Sequence, residues 1–213
     1  NTGENLISQG NNILVTYAGN TYVGEGAGNR SSAAGTNTGI GVNALQSVSS
    51  GSENVAIGPS AGFFMANGVG NVFIGSLAGL FSNGGSFNVG VGYGTLGQVT
   101  GSRNVAINGD GILSGNNNIV IGYATIATVS SGDYQLNIGS YIYGTGLDGG
   151  GSTMSAGKIG LGTKTPSTEL EVVGTITANS MVSRGVGALA KDLRATKSSD
   201  YTILSSLDYG VQF

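Results

Sequence analysis

The sequence predicts an all-β protein built as a repetitive parallel β-roll or β-solenoid, and three observations carry that expectation. One motif, G-x-x-N-V-x-[IV]-G, recurs along the chain: its closing glycine stands at Gly24, Gly41, Gly58, Gly75 and Gly92, each 17 residues after the last, and the column continues at Asn108, Gly122 and Gly139 after steps of 16, 14 and 17. Inside each copy apolar residues alternate with period two, as in Val55 and Ile57, Val72 and Ile74, Val89 and Val91, Val105 and Ile107, which is the period of a strand with one apolar face. The repeat is also too short to hold a helical crossover between parallel strands. One strand and one arm cannot bury themselves, so the copies are expected to stack in parallel as rungs of a coil.

Taken in order, residues 1–19 lack the motif and read as a lead-in. The array occupies 20–142, and its leading asparagine forms a column of its own: Asn20, Asn37, Asn54, Asn71, Asn88, Asn104 and Asn118, with Gln135 in the eighth place. Each copy reads as a strand of about five residues ended by glycine where the backbone must turn. The Val and Ile positions are expected to face the core, with Asn, the middle residue and Gly facing away. Eight rungs at about 4.8 Å give a rod of roughly 40 Å. Variable arms follow the strands and often carry an Ala-Gly pair, as at Ala27-Gly28, Ala61-Gly62 and Ala78-Gly79. The Asn-Gly pairs Asn67-Gly68 and Asn83-Gly84 are hairpin signals, but the arms around them do not alternate, so the coil is preferred. Residues 143–179 read as a glycine-rich linker and a β segment, which the resemblance given below implies is trimeric. Residues 180–213 are expected to be the start of a small β-rich C-terminal module, cut short at Phe213, with one or two helical turns at Ala188–Arg194. The basic residues Arg184, Lys191, Arg194 and Lys197 there are read as a solvated face. The chain starts without Met and stops on Phe213, and it is expected to be a piece of a longer protein.

Composition narrows the chemistry. The 213 residues include 41 glycines and only 9% charged side chains, with net charge −3. Disordered chains usually combine high net charge with few branched apolar residues, which is not the pattern here. Glycine does not recur every third residue, so the chain is not collagen-like. Cys and His are both absent, which removes disulfides, thiolate nucleophiles, imidazole bases and the commonest zinc ligands. With no Lys/Arg run, nucleic acid is not expected as a partner, and no apolar stretch is long enough for a membrane helix.

Several catalytic patterns match by chance. Gly92–Gly97 (GYGTLG) fits a dinucleotide fingerprint, but it lies where the repeat already demands glycine. Gly185–Ala190 (GVGALA) has too little chain after it for a βαβ unit. Ser155–Lys158 (SAGK) fits S-x-x-K of serine acyl-transferases without a K-T-G partner, and the sequon Asn29-Arg30-Ser31 is read as chance. A calcium β-roll needs aspartate in every turn, whereas the acids between Gly41 and Gly157 are Glu53, Asp110, Asp133 and Asp148 alone. No catalytic, cofactor-binding or metal-binding residue is therefore assigned, and no enzyme activity is expected. The Asn column has two readings, a polar ladder offered to a glycan or to ice and an internal stack in which the amides satisfy one another; the second is preferred.

The arms carry large apolar groups, namely Leu45, Phe63, Phe64, Met65, Leu77, Leu80, Phe81 and Leu96. A thin coil is not expected to shelter them all, which points to three or more rods, intertwined or packed side by side; a homotrimer is the expected assembly, although these residues alone do not fix the number three. "GSENVAIGPSAG" (Gly51–Gly62) and "GSRNVAINGDG" (Gly101–Gly111) resemble the repeats of trimeric autotransporter adhesin heads, and the 17-residue units resemble those of bacteriophage tail fibres. "KIGLGTKTPSTELEVVGTITAN" (Lys158–Asn179) resembles the segment that ends the repeat array in many phage fibres. The resemblance covers about Asn20 to Asn179. It implies a homotrimeric shaft on the virion that supports host attachment, with other tail or baseplate proteins and a bacterial receptor as partners, the receptor bound outside this segment. The alternative it leaves open is the head of a bacterial surface adhesin.

Overall fold

The computed structural model describes residues 5–9, 12–17, 19–29, 35–108, 112–123, 131–147 and 157–177. The chain divides into one unit over Asn1–Thr175 and another over Ile176–Phe213. Nearly all of the second lies outside the described residues, including the expected helical turns at Ala188–Arg194.

All regular structure among the described residues is β. The strands are β1 (Asn5–Gln9), β2 (Asn12–Tyr17), β3 (Asn20–Val23), β4 (Thr38–Ile40), β5 (Val55–Ile57), β6 (Val72–Ile74), β7 (Val89–Val91), β8 (Gln98–Val99), β9 (Val105–Ile107), β10 (Ile112–Leu113), β11 (Ile119–Ile121), β12 (Leu136–Ile138), β13 (Ile142–Thr145), β14 (Lys158–Leu161) and β15 (Leu170–Val172). β1, β2 and β3 pair antiparallel. From β3 the sheet runs parallel through β4, β5, β6, β7, β9, β11 and β12. All eight motif copies are thus rungs of one parallel solenoid. β13 turns back against β12 and β14 against β13, and β15 joins β14 in parallel. The arm strands β8 and β10 form a parallel pair of their own. The Asn-Gly pairs make no hairpins, since the strands flanking each pair run parallel.

Register follows the Asn column without slip: Val55 lies beside Val72, and Val72 beside Val89. The strands are shorter than expected because the corner after each one is abrupt. At Gly58 φ is +130°, and a Cβ there would lie 2.6 Å from the carbonyl of Gly75 in the next rung. Only glycine combines that dihedral with that approach. Where Asn108 takes the closing position it adopts φ +52°, the left-handed region that asparagine tolerates. A second left-handed column precedes the ladder asparagines at Thr36, Glu53, Phe87, Arg103, Asn117 and Tyr134. Amides in this column bond back to the preceding rung, for example Phe87 N–H to Val69 O at 2.8 Å.

The expected facing is wrong. The middle residues Tyr22, Ala56, Phe73, Ala106 and Val120 are buried, and so are Asn20, Asn37, Asn54, Asn71, Asn88, Asn104 and Asn118, whereas Ile57 is 37% exposed and Ile74 38%. The interior of one coil is narrow and takes one side-chain column from the strand, flanked by the amides and closed by the arm. The arms are also better sheltered than expected. Leu45, Met65 and Leu96 are 0–1% exposed inside their own chain, while Phe64 and Phe81 stay outside and stack on each other with centroids 4.9 Å apart.

Core volume is shared between each strand and the arm residue six positions later. Where the strand supplies Tyr22 or Phe73, the arm supplies Gly28 or Gly79, and a Cβ on either glycine would enter the aromatic ring. Where the strand supplies Gly39 or Gly90, the arm supplies Leu45 or Leu96. Between them the Ala56/Gly62 rung is filled by neighbours: a Cβ on Gly62 would meet Leu45 Cδ2 at 2.8 Å and Phe73 Cδ2 at 3.6 Å. The recurrent Ala-Gly pair then has a cause. Ala44, Ala61 and Ala78 are fully buried under the corner, and the glycine after Ala61 or Ala78 leaves room for a side chain from elsewhere in the coil.

Candidate functional site

The polar feature with the most order is the asparagine ladder inside the coil. Asn54 donates its backbone N–H and one Nδ2 hydrogen to Asn37 Oδ1, each at 3.0 Å, and the other Nδ2 hydrogen to Gly68 O at 2.7 Å. Asn71 repeats the pattern on Asn54 and Gly85, and Asn88 on Asn71 and Gly101. The ladder runs on through Asn104 and Asn118 to Gln135. Each amide meets one partner above and one below, so burial leaves no orphan along the stack. The internal reading of the column is the one the geometry supports. These amides face no solvent and present nothing to a glycan or to ice.

The outward positions of the strands form a regular surface. Parallel register sets Thr21, Thr38, Val55, Val72, Val89, Val105, Ile119 and Leu136 in one column and Val23, Ile40, Ile57, Ile74, Val91, Ile107, Ile121 and Ile138 in the other. Apart from the two threonines every member is aliphatic, and none carries charge. Seven rung steps make the face about 34 Å long. Elsewhere on the surface Tyr93, Tyr123 and Tyr141 are 76–86% exposed.

One buried hydroxyl stands apart. Tyr22 is 2% exposed, and its OH makes no well-formed hydrogen bond. Burial pushes its pKa from 10.0 up to about 12, opposed by the Asn37 side chain. A raised folded-state value stabilises below the unfolded pKa and is lost as pH rises toward the folded one. Denaturation midpoints are therefore expected to fall between pH 10 and about 12, and Tyr22→Phe should flatten that fall and raise stability by up to about 1 kcal/mol by removing an unsatisfied group. A variant less stable than wild type at pH 7 would show that the hydroxyl is well paired.

The other sequence signals fall in scattered places. Gly92–Gly97 forms a solenoid corner in which Thr95 Oγ1 donates to Val91 O at 3.3 Å. Lys158 bonds Ser167 O at 3.0 Å; Ser155 lies outside the described residues, as do Arg30, Ser31, Asp110, Asp148 and Gly185–Ala190. Glu171 accepts from the Ser167 amide at 2.6 Å and hydroxyl at 2.9 Å, bonds that with nearby Lys158 hold its carboxyl below the usual range. Among the described residues no three acidic groups cluster as metal ligands, and no helix is long and apolar enough to cross a membrane. Sequence reasoning missed the outward face, although the Val-x-Ile alternation was its signal. No protein-family model, curated protein or solved structure matches the chain.

Proposed function

We propose that this chain is the structural shaft of a homotrimeric bacteriophage tail fibre and supports attachment of the virion to its host cell. The observation that carries the reading is the uncharged aliphatic face running the length of the solenoid. Exposed apolar patches of that extent mark association surfaces. Rods of equal rung spacing match one another along their whole length, so a second and third copy are the natural cover. The resemblance of the 17-residue units and of Lys158–Asn179 to phage fibre segments supports the virion assignment. In this reading the array sets reach and rigidity, other tail or baseplate proteins hold it, and the receptor is met outside the array, where loops escape the constraint of stacking.

The test is a fibre lacking Asn54–Phe87, two whole 17-residue periods. Each rung contacts only its neighbours, so Asn37 then stacks on Asn88 and register is kept. Virions carrying the shortened fibre should retain their host range with weaker adsorption. Loss or change of host range with assembly intact would place recognition within the array and favour the adhesin-head reading.

A further inference from the structure

Asparagine followed by glycine is chemically labile when the glycine amide can reach the asparagine side chain, and two such pairs lie among the described residues in opposite environments. Asn67 is exposed, but its Oδ1 accepts from Ser50 Oγ at 2.7 Å and Ser49 Oγ at 3.3 Å. Gly68 is buried, its carbonyl holds Asn54 Nδ2 at 2.7 Å, and a Cβ on it would meet Asn71 Nδ2 at 2.6 Å and Gly85 O at 2.7 Å. That pair is locked into the ladder. Asn83 and Gly84 are both exposed. Among the described residues the Asn83 side chain has no hydrogen-bond partner; the Gly84 N–H, like that of Gly68, has none either, but Gly84 sits at φ +98° and nothing lies within 4 Å of a Cβ built on it.

We infer that Asn83 is a site of spontaneous covalent modification, converting to aspartate and isoaspartate while Asn67 is protected. The Gly84 backbone nitrogen gives up its proton to solvent and attacks Asn83 Cγ. The new C–N bond closes a succinimide as the Cγ–Nδ2 bond breaks, and Nδ2 leaves as ammonia after taking a proton from water. Water then adds to one of the two ring carbonyls and opens the ring to aspartate or isoaspartate. Amide plus water gives acid plus ammonia, and no electron changes hands. The product places a carboxylate two residues from the exposed Phe81, outside the ladder, so the coil survives and its arm acquires charge as the protein ages.

The experiment incubates the full chain at mildly alkaline pH, digests it, and follows both peptides by mass spectrometry with enzymatic methyl labelling of isoaspartate. Asn83 should convert about tenfold or more faster than Asn67 in the folded chain, because Asn67 reacts only through local opening. In denaturant the two rates should converge. Ser49→Ala/Ser50→Ala should speed Asn67 and leave Asn83 unchanged. Equal rates in the folded chain, or faster loss at Asn67, would overturn the assignment.

Discussion

Asn71→Ala is expected to lose about 3–5 kcal/mol of stability, enough to unfold many domains of this size. Asn71 Oδ1 accepts from the Asn88 amide at 2.9 Å and from Asn88 Nδ2 at 3.1 Å, while Asn71 Nδ2 donates to Asn54 Oδ1 at 3.1 Å and Gly85 O at 2.9 Å. Alanine keeps the backbone N–H that donates to Asn54 Oδ1 at 2.8 Å, but it leaves Gly85 O, the Asn88 N–H and one Asn88 Nδ2 hydrogen without those bonds beside residues that are 0% exposed, where water cannot replace them. Asn71→Asp keeps an acceptor for Asn88 but aims its second oxygen at the acceptors Asn54 Oδ1 and Gly85 O. Burial and those oxygens raise the pKa of the introduced carboxyl, so this variant should be most stable in acid and lose stability as pH rises through the carboxylate range. Denaturant titrations at acid and neutral pH check both. An Asn71→Ala chain within about 1 kcal/mol of wild type would mean that the ladder contributes little.

The second large effect concerns core volume. Phe73→Gly removes the ring that fills its rung and should cost about 4 kcal/mol or more. Gly79→Leu alone should be comparably harmful, since its side chain would enter the space of the Phe73 ring. The double variant recreates the Gly39/Leu45 and Gly90/Leu96 arrangement and should recover much of the loss, with a coupling energy of about 2 kcal/mol or more. Strictly additive costs in a double-mutant cycle would show that strand and arm do not exchange volume.

The period and the parallel register were legible because each 17-residue step returns an Asn to the next Asn and a Gly to the next Gly, and a coil admits no other pairing. Facing was not legible from alternation alone. Val55, Ala56 and Ile57 show that two faces differ, but Ala56 looks like the outer one only if apolar bulk is assumed to point into its own chain. The interior is lined instead by middle residues whose sizes, from Gly39 to Phe73, look unpatterned until each is read with the residue six places on. That compensation is written in the sequence at Tyr22/Gly28 and Gly90/Leu96. With the Val and Ile columns placed inside, the thin coil had no room left for the arms' Leu45 and Leu96, which their own coil holds.

In the proposed trimer the middle residues fill each coil and the Val/Ile columns meet other copies. Light scattering of the wild-type chain beside Ile57→Asp tests this most directly, with circular dichroism as a check on folding and Ala56→Asp as the variant that should lose the strand signal, since it buries an unpaired carboxylate. Wild type should have a mass near three 21.1 kDa chains, and Ile57→Asp should keep its β signal while falling toward the mass of one. A wild-type chain that is folded and monomeric at micromolar concentration would contradict the account.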